Sequence, residues 1–525
     1  MQNADEVLSE EQITRLEKAK KSKEPVLIVT VDEALENLET KTSRQKTWHF
    51  KAENVRDYAF AASRRYIWDA MGVEVGDKTV MAMSYYPNEA NPLWGQYSTK
   101  AVAHTVDFYS KYTFDYPYPV AISAHIDRMG MEYPMVSFNG YRPEEDGTYS
   151  ERTKRGLIGV IIHEVGHFWF PMIVNSDERQ WTWMDEGLNT YLQFLTEQEW
   201  DKDYPSRRGP AKNIVNYMKG DKNNLTPIMT NSESIYQFGN NAYGKPATAL
   251  NILRETIVGR ELFDFAFKEY SKTWMFKHPT PSDFFRILEN ASAIDLDWFW
   301  RGWFYSTDPV DISIDEVTWY TLDTKNPEIE LPLKKIEEEN EPIQSWQEKN
   351  SIEIQETIVE IDAEANDFYD KYDPYEVSIL DKEDFIKYRD SSVVENQEKR
   401  IYNSNLNYYE IKFSNVGGLV MPIILELEYE DSTNYIIRIP AEIWRKNRRQ
   451  ITKVFATKKL VTSFNLDPQL ETADINLVNN NWPRKVIKSR FELYKAKKHG
   501  RWKTYKENKM QRNNRSKNEK KSIKK

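Results

Sequence analysis

The stretch 160-VIIHEVGHFWF-170 contains an H-E-x-x-H pattern, His163 to His167, within an apolar run that Pro171 ends. The run predicts a buried or amphipathic helix. On a helix, residues four apart leave the same face, so His163 and His167 can share one Zn²⁺ ion. Glu164 lies about 100° round the helix, beside that ion. There it can take a proton from an attacking water and deliver it to the leaving amine.

A third zinc ligand is required, with an open position for water. Glu186 is the candidate, 19 residues after His167, in the stretch 181-WTWMDEGLNTYL-192 at the start of the next predicted helix, 185–200. A helix–loop–helix turnaround of that length can return its carboxylate to the first helix. Isolated H-E-x-x-H patterns arise by chance, but only 7 histidines occur in the chain and two of them have this spacing.

Composition excludes several other kinds of site. The chain has 525 residues and no cysteine, so a disulfide scaffold, a Cys-ligated zinc, an iron–sulfur cluster and a cysteine nucleophile are excluded. The formal net charge of −10 argues against a specific nucleic-acid partner. The best apolar run, 417–425, is far shorter than the roughly 20 residues of a transmembrane helix. The first residues contain no apolar h-region, so no signal peptide is predicted.

Patterning along the chain predicts an α+β multidomain protein. Strand-like residues flank a Gly-Asp turn in 61–86, helical spacing prevails over 153–305, and strand-like alternation returns in 407–464. We therefore divide the chain into an N-terminal β segment (1–95), a mainly helical domain (96–306), an acidic linker or insertion (307–404), a small antiparallel β unit (405–480) and a basic, disordered tail (481–525).

The tail reverses the charge of the acidic body. From Arg484 to Lys525 there are 18 Lys or Arg residues against 3 Asp or Glu. Two interpretations stay open: contact with an anionic surface, or a solubilising tail.

Three further segments carry a family resemblance. H-E-x-x-H followed by eighteen residues and a Glu resembles the gluzincin metallopeptidases, specifically the M1 aminopeptidase family. The likeness runs from about Val7 to about Pro483. In detail the amino-acid sequence is similar to that of bacterial M1 proteins common in Bacteroidetes. Besides the zinc-glutamate segment Trp183–Gly187, it rests on Gly130-Met131-Glu132, similar to the G-x-M-E-N exopeptidase signature, and on Tyr243-Gly244-Lys245, similar to the catalytic-tyrosine segment.

The resemblance implies a thermolysin-like, mainly helical zinc peptidase domain that acts on peptides with a free N-terminus. One Zn²⁺ per chain is expected, with Glu164 as the base and Tyr243 as the donor to the oxyanion. Glu132 is expected to bind the substrate's ammonium, with Gly130 allowing close approach of the backbone. The remaining assignments follow the same segments: Met131 and Glu186 as substrate-binding, and His163, His167 and Glu186 as zinc ligands.

This sequence departs from the family pattern at Met129, where the family has Gly, and at Tyr133, where it has Asn. The family's N-terminal β-saddle domain is expected only as a remnant within 1–95. Relatives of this kind are usually exported to the periplasm or cell envelope, so the sequence leaves the compartment open.

Three functions are compatible with these residues. The first is a zinc aminopeptidase. The second is a thermolysin-like zinc endopeptidase, which the H-E-x-x-H unit alone does not exclude. The third is an inactive metal-binding fragment, whose substrate wall is incomplete.

Overall fold

A computed structural model describes residues 1–127, 129–390, 406–485 and 507–523. The strands in these ranges are β1 (Val26–Val29), β2 (Tyr66–Val75), β3 (Lys78–Pro87), β4 (Val120–His125), β5 (Gly130–Tyr133), β6 (Val136–Asn139), β7 (Ile312–Tyr320), β8 (Asn407–Asn415), β9 (Ile423–Tyr429), β10 (Asn434–Ile439), β11 (Gln450–Thr457), β12 (Val461–Leu466) and β13 (Asn481–Trp482).

The helices up to residue 303 are α1 (Ala4–Val7), α2 (Glu10–Lys20), α3 (Val31–Glu39), α4 (Leu93–Tyr112), α5 (Glu151–Gly166), α6 (Leu188–Trp200), α7 (Val215–Met218), α8 (Lys245–Ile252), α9 (Arg260–Thr273), α10 (Pro281–Ser292) and α11 (Asp297–Trp303). Beyond them lie α12 (Pro327–Glu339), α13 (Ser345–Glu353), α14 (Ile358–Ile361), α15 (Phe368–Lys371), α16 (Ile379–Asp390) and α17 (Lys509–Ile523). The predicted α+β multidomain class is confirmed.

A six-stranded sheet in the order β1-β2-β3-β4-β6-β5 supports the helical part of the chain. Its first hairpin turns at Gly76, where a positive φ of 56° suits a residue without Cβ. α4 connects β3 to β4, which run parallel. At the far edge, the short strand β5 pairs only with β6 among the described residues. This edge lies over α5, the helix that carries the H-E-x-x-H residues.

The helical part buries an extensive apolar core around α5 and α6. Trp169 and Trp183, which flank the motif in sequence, are fully buried. Trp183 contacts Phe284 and Phe304 with its ring, and these contacts join the turn before α6 to the helices α10 and α11. This close aromatic packing fixes the backbone that presents Glu186.

The C-terminal strands form two small sheets, β10-β9-β12-β13 and β11-β8-β7. The second sheet includes β7, which lies inside the range predicted as an acidic linker (307–404). Ile312 and Ile314 of β7 are buried in the core. A register shift between Ile314 and Glu316 interrupts the two-residue alternation, which is why the pattern did not predict a strand.

Helices α12 to α16 follow β7, and most of their side chains are exposed, as the acidic composition of this insertion predicts. Residues 391–405 lie outside the described ranges, as do 128, 486–506 and 524–525.

The predicted disordered tail differs from the described structure at its end, where α17 is helical. Asn508 and Gln511 exchange reciprocal backbone–side-chain hydrogen bonds at the start of α17, and no Gly or Pro follows. Asn508 Nδ2 also donates to Thr148 Oγ1 at 3.0 Å, and Gln511 Nε2 donates to Asp146 Oδ2 at 3.0 Å. The predicted contact of the tail with anionic surfaces stays a prediction. Among the described residues, no helix combines the length and the apolar character that crossing a membrane requires.

Candidate active site

The C-terminal end of α5 brings three donor atoms to one point. His163 Nε2 and His167 Nε2 lie 3.1 Å apart, and Glu186 Oε2 lies 3.1 Å from the first and 3.2 Å from the second. His163 and His167 are 9% and 1% exposed. The i, i+4 spacing therefore places both imidazoles on one face, as the sequence predicts, and Glu186 meets them there.

These donor atoms fit a tetrahedral metal ion. Zinc–nitrogen distances near 2.05 Å imply a separation of about 3.3 Å between donors, close to the distances found. Each histidine has a hydrogen-bond acceptor at Nδ1: Gln193 Oε1 at 2.9 Å from His163 and Phe170 O at 2.8 Å from His167. With the ring protons on Nδ1, the two Nε2 lone pairs face each other and a carboxylate, an arrangement that a cation stabilises.

A π-helical turn over Trp183–Gly187 presents Glu186 just before α6. A Cβ at Gly187 would lie 2.6 Å from Pro246 Cγ, so only glycine permits this close approach to α8. The preceding residue, Asp185, is buried, and its Oδ1 lies 2.9 Å from His167 Nδ1. The turn thus supplies a ligand and places a second buried carboxylate beside His167, whose Nδ1 hydrogen bond goes to Phe170 O.

The sequence analysis did not predict the two residues that form hydrogen bonds with His163 away from its Nε2 atom, Gln193 and Asn189. Gln193 accepts the His163 Nδ1 proton, and its own Nε2 donates to Glu197 Oε1 at 2.8 Å and to Gly159 O at 3.2 Å. Asn189 Nδ2 donates to His163 O at 2.7 Å. The seven-residue spacing of Gln193 from Glu186 was the available signal, since the π-helical turn runs directly into α6 and about two helical turns place both side chains on the same face.

Glu164 is buried beside the three donors. Together with Glu132 and His167 it forms a group whose ligand atoms all lie within 4.8 Å of one another. Burial raises the pKa of Glu164 well above its usual range; the nearby carboxylate of Glu132 also raises it, and His167 lowers it. A carboxyl with a raised pKa holds a proton more readily, which suits a group that accepts and then returns one.

Strand β5 carries the three residues of the predicted substrate-binding segment. Glu132 is paired with Ser137 and Met131 with Phe138, both on β6. The backbone of Gly130 presses against Glu164, because a Cβ there would lie 2.2 Å from Glu164 Oε1. Met129, half exposed, lines a cavity of about 410 Å³ together with Gly130, Gly140, Tyr141 and Val160. The structure thus brings Glu132 and Gly130 to the motif, while for Met131 it shows only the position on the edge strand.

Tyr243 lies on a separate element, a π-helical turn over Gly239–Gly244. Its hydroxyl donates to Glu186 Oε1 at 2.5 Å, and its ring stacks 5.7 Å from that of His163. Burial raises the pKa of Tyr243, and the carboxylate of Glu186 raises it further. The phenol therefore stays protonated and can act as a hydrogen-bond donor.

The fold and this buried cluster define a metallopeptidase-type domain of the H-E-x-x-H class. Residues 97–303 match the model of the Peptidase family M1 domain. Over these residues the chain therefore carries a peptidase family M1 domain.

Curated relatives share this region. Glutamyl aminopeptidase of Sus scrofa is 27% identical over 169 residues, covering 31% of this chain and 18% of the relative. Probable aminopeptidase 2 of Sulfurisphaera tokodaii is 24% identical over 295 residues, covering 52% of this chain and 37% of the relative. This chain thus spans well under two thirds of either relative. Among solved structures, aminopeptidase A of Legionella pneumophila in complex with aspartic acid matches with a TM-score of 0.47 and 13% identity, covering 78% of this chain and 38% of that one.

Proposed function

We propose that this chain is a zinc-dependent aminopeptidase that hydrolyses the N-terminal bond of peptides, with one Zn²⁺ per chain on His163, His167 and Glu186. The observation that carries the proposal is the position of Glu132. Its carboxylate lies within 4.8 Å of Glu164 and His167, on the edge of a strand beside the ligand cluster. A carboxylate at that point can pair with a free α-ammonium and place the first carbonyl at the metal.

When bound, zinc supplies Lewis acidity, which lowers the pKa of water and polarises the substrate carbonyl. Glu164 accepts a proton from the attacking water and transfers it to the nitrogen of the breaking C–N bond. One water is consumed, and the products are a free amino acid and a peptide shortened by one residue. The Tyr243 hydroxyl donates a hydrogen bond to the oxygen that becomes negative during attack.

Glu132 also determines that only one residue is removed. Pairing with the substrate's ammonium fixes the distance from the N-terminus to the bond at the metal. The outer edge of β5 is open among the described residues, so an extended peptide can add to it by backbone hydrogen bonds. The ammonium contact supports an exopeptidase rather than an endopeptidase, while the strand edge would bind the substrate backbone in either case.

The test is hydrolysis of aminoacyl fluorogenic amides by the purified chain, each assayed beside its N-acetylated twin, with and without a zinc chelator. We expect chelator-sensitive cleavage of the free-amino compounds alone. Cleavage of the acetylated twins would favour the thermolysin-like endopeptidase. No cleavage of either set by zinc-loaded protein would instead identify an inactive metal-binding fragment.

A further inference from the structure

A second cavity, of about 510 Å³, opens beside Tyr243. The turn that carries Tyr243 forms one of its sides, and the segment after α6 forms the other. The lining residues are Arg207, Arg208, Gln237, Phe238, Gly239 and Asn240. The cavity is thus lined by two cations and two amides, and carboxylates are absent from that lining.

Neither arginine forms a direct ion pair with a described residue, although the more distant carboxylates of Glu186 and Glu197 favour the charged form of Arg208. Among the residues that the structure describes, the guanidinium groups of Arg207 and Arg208 form no hydrogen bond and no ion pair. Elsewhere in the same domain, Arg155 pairs with Asp201 and Arg254 with Asp264. Arg207 is exposed, whereas Arg208 is partly buried, and partial burial of a guanidinium without a direct ion pair costs free energy.

Arg208 is held in place by an aromatic ring. Its guanidinium carbon lies 4.3 Å from the centroid of the Tyr243 ring. Burial lowers the pKa of Arg208, and the charge of Arg207 lowers it as well, although an arginine stays protonated throughout. Stacking of this kind fixes the plane of the guanidinium while its N–H groups stay available for a ligand.

The two arginines and Glu132 lie on different sides of the metal-ligand cluster. The carboxylate of Glu132 lies within 4.8 Å of ligand atoms of Glu164 and His167, whereas Arg208 lies over the ring of Tyr243, whose centroid is 5.7 Å from that of His163. A negative group therefore lies on one side of the cluster and a positive pair on the other. A short peptide has the complementary pattern, with a cationic N-terminus and an anionic group further along.

We propose that Arg207 and Arg208 form a subsite for a carboxylate of the peptide, downstream of the bond that is cleaved. The inference rests on the aminopeptidase proposed above and adds a substrate class to it. Planar guanidinium groups bind carboxylates through paired N–H···O bonds, and the amides of Gln237 and Asn240 can donate as well. The carboxylate comes either from the C-terminus of a short peptide or from an acidic side chain in the second position.

Three dipeptides test the subsite and separate the two sources: Ala-Asn-NH₂, which has no carboxylate, Ala-Asn with a free C-terminus, and Ala-Asp-NH₂. We expect kcat/KM for at least one carboxylate-bearing peptide to exceed that of Ala-Asn-NH₂ by about 10-fold or more. A preference confined to Ala-Asn identifies a C-terminal carboxylate, and one confined to Ala-Asp-NH₂ identifies an acidic side chain. Equal kcat/KM values for all three would overturn the subsite and leave the aminopeptidase intact.

Substitutions at Arg207 and Arg208 test whether these residues cause the preference for peptides with a carboxylate. In Arg207→Met and in Arg208→Met, the ratio of kcat/KM between the preferred carboxylate peptide and Ala-Asn-NH₂ should fall toward one. Arg260→Met is the matched control, since Arg260 pairs with Glu255 on the surface, and it should keep the ratio. Arg207 is exposed, so its variant tests the proposal even if Arg208→Met does not fold.

Two results would contradict the assignment. A uniform loss of kcat on all three peptides, with an unchanged ratio, would show that Arg208 only supports Tyr243. Cleavage of neither the dipeptides nor the aminoacyl amides would overturn the aminopeptidase and the subsite together.

Discussion

A Cβ on Gly130 would lie 2.2 Å from Oε1 of Glu164 and 2.8 Å from its Cδ. The edge strand β5 therefore fixes the position of the carboxylate on α5 through backbone contact. Gly130→Ala should displace Glu164 and lower kcat by about 10²-fold, because small misplacements of a catalytic group are that costly. The bound zinc should be unchanged, since the three atoms nearest to an added Cβ belong to Glu164 and Val160 and to none of the three proposed ligands. Steady-state kinetics with metal analysis measures both quantities.

Two comparison variants sharpen that prediction. Glu164→Gln should lower kcat by about 10²–10⁴-fold with zinc retained, which gives the limit for complete loss of the base. Gly302→Ala is the control for an added methyl group, because its nearest atom is Leu419 Cγ at 3.3 Å on a flexible side chain. Normal kcat in Gly130→Ala would show that the carboxylate moves freely.

The amine-binding role of Glu132 predicts a selective loss. Glu132→Gln keeps the shape of the side chain but removes its charge, so kcat/KM for free-amino amides should fall by about 10²-fold. Zinc content should stay the same. Glu145→Gln, an exposed carboxylate in a neighbouring loop, should have no effect. Unchanged kinetics for Glu132→Gln would remove the argument for an exopeptidase.

Tyr243→Phe removes the donor to the oxyanion and should lower kcat by about 10²–10³-fold with little change in KM. The variant also loses the hydrogen bond to Glu186 Oε1, so zinc binding has to be measured alongside. Tyr236→Phe, which alters an exposed tyrosine seven residues earlier in the chain, is the matched control. A kcat near that of the parent protein would assign Tyr243 a packing role.

The hydrogen bond between Gln193 and His163 predicts that a substitution of Gln193 lowers the affinity for zinc, and not kcat alone. Gln193→Leu leaves the His163 Nδ1 proton without its acceptor, so the ring orientation is no longer fixed. Zinc affinity should fall about 10–100-fold, measured by competition with a chromogenic chelator. Gln198→Leu on the same helix loses the hydrogen bonds to Tyr204 O and Ser206 Oγ, neither of which contacts His163, and should keep the affinity. An equal loss in both variants would indicate general destabilisation of α6.

The burial of the Asp69 carboxyl predicts that the free energy of unfolding depends on pH. It is 2% exposed, and burial raises its pKa to about 6, against the hydrogen bonds from Thr99 and Tyr86 that lower it. The folded state binds the proton more tightly than the unfolded state, whose pKa is about 4. The contribution of protonated Asp69 to the free energy of unfolding is therefore fully present below pH 4. It is lost as the pH rises through the folded-state pKa of about 6.

The size of that loss follows from the two pKa values. Relative to Asp69→Asn, which does not titrate, the free energy of unfolding of the parent protein should fall by about 2–3 kcal/mol between pH 4 and pH 7. Denaturant unfolding of both proteins across this range measures the difference. A constant difference would place the pKa of Asp69 near its ordinary value.

The clustering of His163, His167 and Glu186 could be predicted from the sequence because its geometry is mostly local. The spacing of His163 and His167 decides their common face, and Glu186 returns on the next helix at a predictable distance. The role of Gln193 depends on the packing of α6 against α5. The pairing of Arg208 with the Tyr243 ring depends on two segments that are close only in the folded chain. Such tertiary relationships leave no periodic signal in the sequence.

Two elements outside the site escaped prediction for different reasons. The bulge in β7 shifts the side chains to the other face halfway along the strand, so alternation holds over too few residues to be recognised. For α17, charge density suggested disorder, but helix-forming residues and the cap at Asn508 favour a helix.

The pairing of β7 with β8 has a consequence for how this protein could be engineered and how it could have diversified. Tyr320 and Tyr408 are register partners on adjacent antiparallel strands. The chain therefore departs from the sheet and re-enters it at a single point, as in a hairpin whose turn has been lengthened to hold α12 to α16. Because the two ends already meet, this turn can be shortened, exchanged or used to carry a foreign domain with little effect on the strands that border it.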